Sequence, residues 1–229
     1  MIHLSQWSKT TLGTAIELYA SDALSTLQQQ RPILLMGGVH GDEPLGVELA
    51  RKTLEYLQSE EKKPHSQVRV PWVLIPCLNV DGFSKGTRVN GRGVDLNRNY
   101  PSKSWQPTFE KERYFPGPNP GSEPEIQAVT KLIHQLKPRL IIHFHSWKPM
   151  VVCAGEPGQK DAERLARSSG YKVVPEIGYP TPGSLSEFGW FDHQIPIICT
   201  EEDDNTRIED VWPNFGQGLR EILQDPSPR

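Results

Sequence analysis

A layered α/β domain around a largely parallel or mixed sheet is the fold this 229-residue sequence predicts. Three observations carry that expectation. Short apolar runs rich in β-branched residues recur along the chain, and amphipathic segments of helical period separate them. Gly, Pro, Asn and Ser mark the changeovers. Apolar runs without alternation suit strands covered on both faces, and alternation of strands with helices is how such sheets are wound. The length fits one domain, 1–229, with a substantial core.

The elements follow in order. Ile-Leu-Leu-Met at 33–36 reads as a buried strand, and "EPLGVELARKTLEYLQ" after it carries Leu45, Leu49, Leu54 and Leu57 at roughly helical spacing. "SEEKKPHSQ" reads as a helix end and surface loop, and 68–78 reads as the second strand. Residues 79–121 are rich in Gly, Pro, Asn and Arg without periodicity, and a loop of that length in a compact domain is usually functional. "SEPEIQAVTKLIHQL" opens on Ser122 with Glu125 three residues on, a capping-box pattern. Strands at 140–144 and 150–153 precede "KDAERLARSSG", a helix stopping at Gly170, and a strand at 172–174. "SLSEFGWFDHQ" repeats the capping pattern with Ser184 and Glu187; a strand at 195–200 and a helix over 208–223 complete the chain.

The bulk properties exclude several classes. The formal net charge is −3 with acids and bases interspersed, so no nucleic-acid surface or polybasic membrane patch is indicated. No run reaches the roughly 18–20 apolar residues of a membrane helix. The start "MIHLSQWSKTTLG" has neither the charged head nor the apolar middle of a signal peptide. Cys77, Cys153 and Cys199 lie in apolar segments, which marks them as reduced core residues, and their odd number argues against a disulfide framework. A soluble, cytoplasmic protein is expected.

Chemistry concentrates at the strand ends. In "GGVHGDEPLG" His40 and Glu43 follow the first strand three residues apart. They suit two metal ligands; a helix capped by Asp42 is the competing reading. A third ligand is offered by "LIIHFHSW", where His143 and His145 share one face of a strand, with His145 nearer its end. His143, one pleat deeper, suits a hydrogen-bonded core histidine. "PIICTEEDD" ends another strand in four acids, either a general base near a metal or a solvated cluster. "GTRVNGRGVDLNRNYP" gathers Arg88, Arg92 and Arg98 with Asn90, Asn97 and Asn99, planar donors suited to a substrate carboxylate. It lacks the glycine loop followed by Lys-Ser or Lys-Thr that binds phosphate.

Together with "PGSEPEIQAVTKLIHQLKP", "GYPTPGS" and "PIICTEE", these stretches resemble the zinc carboxypeptidases of the M14 type, and within them the murein peptide amidase subgroup. The matches keep the family's order from about Arg31 to Glu201. The resemblance implies a three-layer α/β/α fold with a central mixed, largely parallel sheet. It also implies one zinc ion held by His40, Glu43 and His145. Glu201 is the implied general base, taking a proton from the attacking water and passing it to the leaving nitrogen. Arg88 is implied at the oxyanion, a role in which one donor is worth about 3–4 kcal/mol. Asn97 and Arg98 are implied to clamp the free carboxylate of the released group. Arg92 has the weaker claim, as a loop-ordering residue, and Tyr179 lies in the loop over the pocket, as a substrate contact or in loop packing.

The implied substrate is a small murein peptide with a free carboxylate, cut at its γ-D-glutamyl–meso-diaminopimelate bond. One or more of Glu202, Asp203 and Asp204 is the candidate partner for the diaminopimelate ammonium, against the reading of them as solvent-facing acids. Two departures bear on substrate: Ser146-Trp147 follows His145, as in digestive carboxypeptidases, and the exit after Glu201 is unusually acidic. The alternatives are a carboxypeptidase for ordinary peptides, an N-acyl amino-acid deacylase of the desuccinylase type, and a non-catalytic binding module.

Overall fold

The computed structural model describes residues 1–226. Its strands are β1 (Ile2–Lys9), β2 (Ala15–Ala20), β3 (Ile33–Met36), β4 (Trp72–Ile75), β5 (Leu140–Trp147), β6 (Met150–Ala154), β7 (Val173–Val174) and β8 (Ile197–Asp203). They form one sheet in the order β1-β2-β4-β3-β5-β8-β6-β7. The central strands β4, β3, β5 and β8 run parallel, while β1, β2 and β6 introduce antiparallel pairings. The sheet is therefore mixed with a parallel centre, as expected.

Helices α1 (Leu24–Leu27), α2 (Pro44–Glu61), α3 (Val80–Lys85), α4 (Pro124–Leu136), α5 (Gln159–Ser169) and α6 (Val211–Gln224) cover both faces. Successive strand residues point to opposite faces, and β3 shows the division. Ile33 and Leu35 pack with Leu45 and Leu49 of α2 and with Phe215 and Leu219 of α6. Leu34 and Met36 pack with Ile126, Val129 and Ile133 of α4. Two cores on a shared sheet make the three-layer α/β/α arrangement; each fully buried leucine contributes about 1.5–3 kcal/mol to it.

Some expectations change. Strands β1 and β2 and helix α1 were not foreseen, and the 79–121 stretch contains α3 and two single-turn 3-10 segments, Leu96–Arg98 and Glu112–Tyr114. The strand expected over 68–78 is cut to the four residues of β4, and β8 runs on through the acids to Asp203. Ser122 is no cap: α4 begins at Pro124 with Glu123 as the preceding residue. Glu125 instead accepts from Thr11 N–H at 3.0 Å, tying α4 to the β1–β2 turn. Ser184 does take the Glu187 N–H, at 3.3 Å, but the segment it opens, Glu187–Asp192, is wound as a π-helix. The three cysteines are free.

Candidate metal centre

The parallel strands β3, β5 and β8 end on one side of the sheet, where open α/β sheets carry their sites. From Met36 the chain passes through Gly37 and Gly38 to His40. Gly38 has φ +62°, and a Cβ there would lie 2.7 Å from Cys77 Sγ, so the sharp exit needs glycine. Glu43 then directly precedes α2, with Pro44 at its first position. Its carboxylate sits at the helix N-terminus, where the backbone dipole favours negative charge. Asp42 does not cap the helix; its Oδ2 accepts from Arg113 Nη2 at 3.2 Å.

His40 Nδ1 lies 2.6 Å from Glu43 Oε1, His145 Nδ1 lies 2.7 Å from Glu43 Oε2, and the two Nδ1 atoms are 3.1 Å apart. Zinc takes His nitrogens and carboxylate oxygens at about 2.0–2.2 Å, so donors gathered this closely reach a single ion. The outer nitrogens support the fit. His40 Nε2 meets Asp95 Oδ1 at 3.1 Å and His145 Nε2 meets His143 Nδ1 at 2.9 Å. With those nitrogens protonated, both Nδ1 lone pairs face the centre, as metal-binding histidines require. Burial works to raise the Glu43 pKa, but His40 and His145 hold it well below the carboxylate range, so it stays an anion.

Glu201 lies opposite His145 in the β5–β8 register and is 4% exposed. Burial, with the Glu43 charge second, pushes its pKa up to about 8. Its Oε1 accepts from the Cys199 thiol at 3.3 Å. A carboxylate raised into the neutral range and facing a cavity is suited to trade protons.

The cavity in front of this centre has a volume of about 700 Å³. Arg88, Asn97, Arg98 and Tyr179 line it; Arg92, Asn90 and Asn99 do not. Arg88 donates from Nε to Asp95 Oδ2 at 2.9 Å and from Nη1 to Glu43 Oε1 at 3.4 Å. One buried carboxylate, Asp95, thus anchors both His40 and Arg88. Burial alone would raise its pKa, but Arg88 and His40 keep it far below the usual range. Asn97 Oδ1 accepts from Leu185 N–H at 2.9 Å, which leaves its NH2 group for a ligand. Arg92 is largely exposed beside Glu123, in keeping with a loop-ordering role. Asn90 and Asn99 serve the loop: Asn90 donates to Glu123 Oε2 at 2.8 Å and Asn99 to Pro116 O at 2.7 Å.

The loop carrying Tyr179 is pinned to the arginine segment, since Tyr100 N–H reaches Gly183 O at 2.9 Å and Gly183 N–H reaches Ser104 Oγ at 3.2 Å. Tyr179 meets Trp147 edge to face at 5.7 Å, and the Arg98 guanidinium lies 6.0 Å from its ring centre. Of the trailing acids only Asp204 lines the cavity. Glu202 is buried and bonded to Tyr171, Thr206 and Asn214, and Asp203 accepts from Asn205.

Sequence reasoning missed Asp95, whose signal was an acid between Val94 and Leu96 inside the arginine motif. It also missed Tyr114, whose ring lies 5.3 Å from the Arg88 guanidinium and 5.9 Å from that of Arg98.

A His-Glu-His donor set at the strand ends of an α/β/α sheet, with arginines on the facing wall, defines a metallohydrolase class. The chain belongs to the zinc carboxypeptidase family, peptidase M14, whose family model matches residues 3–188. Among its relatives is murein peptide amidase A of Escherichia coli K12, 32% identical over 205 residues, 84% of this chain and 77% of that protein. The Vibrio campbellii murein peptide amidase A is 27% identical over 214 residues, 88% and 79% of the two chains. The crystal structure of the murein-tripeptide amidase of E. coli O157 superposes with a TM-score of 0.79 at 26% identity, covering 99% of this chain and 93% of that one. Bovine thrombin-activatable fibrinolysis inhibitor shares the fold, with a TM-score of 0.79 at 16% identity over 97% and 88% of the chains. The protein is a zinc metallopeptidase by family.

Proposed function

We propose that this chain hydrolyses the γ-D-glutamyl–meso-diaminopimelate bond of murein peptides. The observation that carries the reading is the cavity itself. It joins the His40–Glu43–His145 donor set to a cationic wall of Arg88 and Arg98, in a chain that resembles murein peptide amidase A over most of its length.

His40, Glu43 and His145 would hold one zinc ion. When bound, that ion supplies Lewis acidity for the scissile carbonyl and the attacking water. Arg98 and the Asn97 NH2 group clamp the free carboxylate of the departing amino acid, because a planar guanidinium matches a carboxylate bidentately. Arg88 is held at Nε by Asp95 and directs its remaining N–H groups to the oxygen where charge develops. Glu201 takes the proton from the attacking water and returns it to the leaving nitrogen, so one carboxylate serves as base and then acid. Tyr179, between Arg98 and Trp147, closes over the bound group as a substrate contact. Of the acids considered for the diaminopimelate ammonium, Asp204 is the candidate, because it alone of the three lines the cavity. Such a reaction would serve peptidoglycan recycling in the cytoplasm, a setting in keeping with the three free cysteines.

The second reading, an ordinary metallocarboxypeptidase, draws on Ser146-Trp147 behind His145. A substrate panel separates the readings. Selective cleavage of L-Ala-γ-D-Glu-meso-diaminopimelate over hippuryl amino acids and succinylglutamate is expected, and preference for a hippuryl substrate would replace the first reading with the second. Asp204→Asn should reduce selectivity for diaminopimelate over alanine, and unchanged selectivity removes Asp204 from the account.

A further inference from the structure

We infer that His143 is a positioning residue that fixes the tautomer and ring plane of His145, so that His145 offers Nδ1 and not Nε2 to the metal. The inference rests on the donor set proposed above. His143 Nδ1 lies 2.9 Å from His145 Nε2, and the two rings stand nearly perpendicular, 89° apart. Each is 2% exposed, so water does not compete for the bond. With His143 Nδ1 as acceptor, the His145 proton resides on Nε2 and the Nδ1 lone pair points at Glu43 and His40. The opposite tautomer would drive an N–H into the donor set.

Strand register builds this backing layer. On the parallel pair β5–β8, Ile141 faces Ile197, His143 faces Cys199, and His145 faces Glu201. Residues two apart share a face, so polarity rises pleat by pleat from the core to the cavity. His145 and Glu201 line the cavity, and His143 and Cys199 lie one pleat beneath.

Two features argue that position 143 does more than fill space. First, His143 Nε2 is buried with no hydrogen-bond partner among the described residues. A leucine would fill that layer without the penalty, so what the imidazole adds there is the acceptor at its other nitrogen. Second, His40 is backed by the Asp95 carboxylate at 3.1 Å, whereas His145 is backed by an imidazole at 2.9 Å. Glu43, Asp95 and Glu201 already put three carboxylates into this buried region. An imidazole acceptor orients His145 without adding a fourth carboxylate. The competing reading is an inner metal site, because the donor atoms of His143, His145 and Cys199 lie within 4.8 Å of one another.

The test measures zinc affinity by competition with a chromophoric chelator for wild type, His143→Asn and His143→Leu. Asparagine places its oxygen where Nδ1 stood, so it should bind within about threefold of wild type, while leucine should bind about 10- to 100-fold more weakly. Melting curves of the chelator-treated proteins control for folding. Wild-type affinity in the leucine variant overturns the inference, as does a cobalt–thiolate charge-transfer band that Cys199→Ser removes. Should the leucine variant not fold, the 15N spectrum of the zinc-loaded wild type decides: a proton on His145 Nε2 is expected, and a proton on Nδ1 overturns the inference. Failure of the donor set itself is distinguishable, because His40→Ala would then bind zinc as well as wild type.

Discussion

Gly46→Ala should damage the metal centre without touching a single donor atom. Gly46 lies in the first turn of α2, where an added Cβ would stand 2.3 Å from Phe144 O and 3.3 Å from His145 N. Ordinary contact begins near 3.4 Å, so α2 or β5 must retreat by about 1 Å. Phe144 belongs to the central strand of a parallel ladder and cannot yield cheaply. Helix propensity favours alanine by about 1 kcal/mol, whereas overpacking costs about 1–3 kcal/mol. With a Cβ as close as 2.3 Å to a backbone oxygen the overpacking term is the larger, for a net loss of up to about 2 kcal/mol and a fall in Tm of about 2–4 °C per kcal/mol lost. The functional effect is larger. Glu43 lies one turn before Gly46 and His145 follows Phe144, so the same retreat pulls the donor set apart. A misplacement near 1 Å costs on the order of 100-fold in rate. Melting curves of the zinc-free protein, chelator competition and kcat/KM measure the three consequences. A higher Tm with unchanged zinc affinity would refute the reasoning, because propensity would then have outweighed a contact that does not press on β5.

Further outcomes follow from the same geometry. Glu201→Gln should keep its zinc and lose about 10²- to 10⁴-fold in kcat; equal rates would mean that Glu201 is not the base. Arg98→Ala should raise KM for peptides with a free terminal carboxylate and leave amidated analogues unaffected, and a uniform loss on both would place Arg98 outside the clamp. At alkaline pH, burial and then the Glu202 bond push the Tyr171 pKa from 10.0 up to about 12. A raised folded-state pKa keeps its full stabilising effect below pH 10 and loses it as pH climbs towards 12. Stability should thus fall across that window in wild type and less steeply in Tyr171→Phe, and parallel curves would contradict the assignment.

The parallel centre of the sheet was legible because β3, β4, β5 and β8 are apolar runs covered on both faces. Strand β1 was not, since Ser5, Gln6, Ser8 and Lys9 break its apolar pattern and it is mostly exposed at the sheet edge. The Ser122 pattern misled because Glu125 is spent on a tertiary contact with Thr11, and sequence spacing carries no trace of that partner. In the site, strand depth put His145 nearer the cavity than His143, and of the two only His145 lines it. The arginine motif showed its chemistry but not its geometry. Arg88 and Arg98 turn inward while Arg92, four residues from Arg88, turns outward, and the difference is set by Asp95 and by the loop around Asn90. The pairing of His40 and Arg88 on one carboxylate likewise needed the fold, because Asp95 and His40 are 55 residues apart.

The proposed function sets zinc at His40, Glu43 and His145 to the cleavage of a murein peptide. Its most direct test is the incubation of zinc-loaded protein with L-Ala-γ-D-Glu-meso-diaminopimelate, with and without chelator, followed by identification of the products. Free diaminopimelate and L-Ala-γ-D-Glu are expected, abolished by the chelator and restored by zinc. An intact tripeptide with zinc present, or cleavage that persists without the metal, would contradict it.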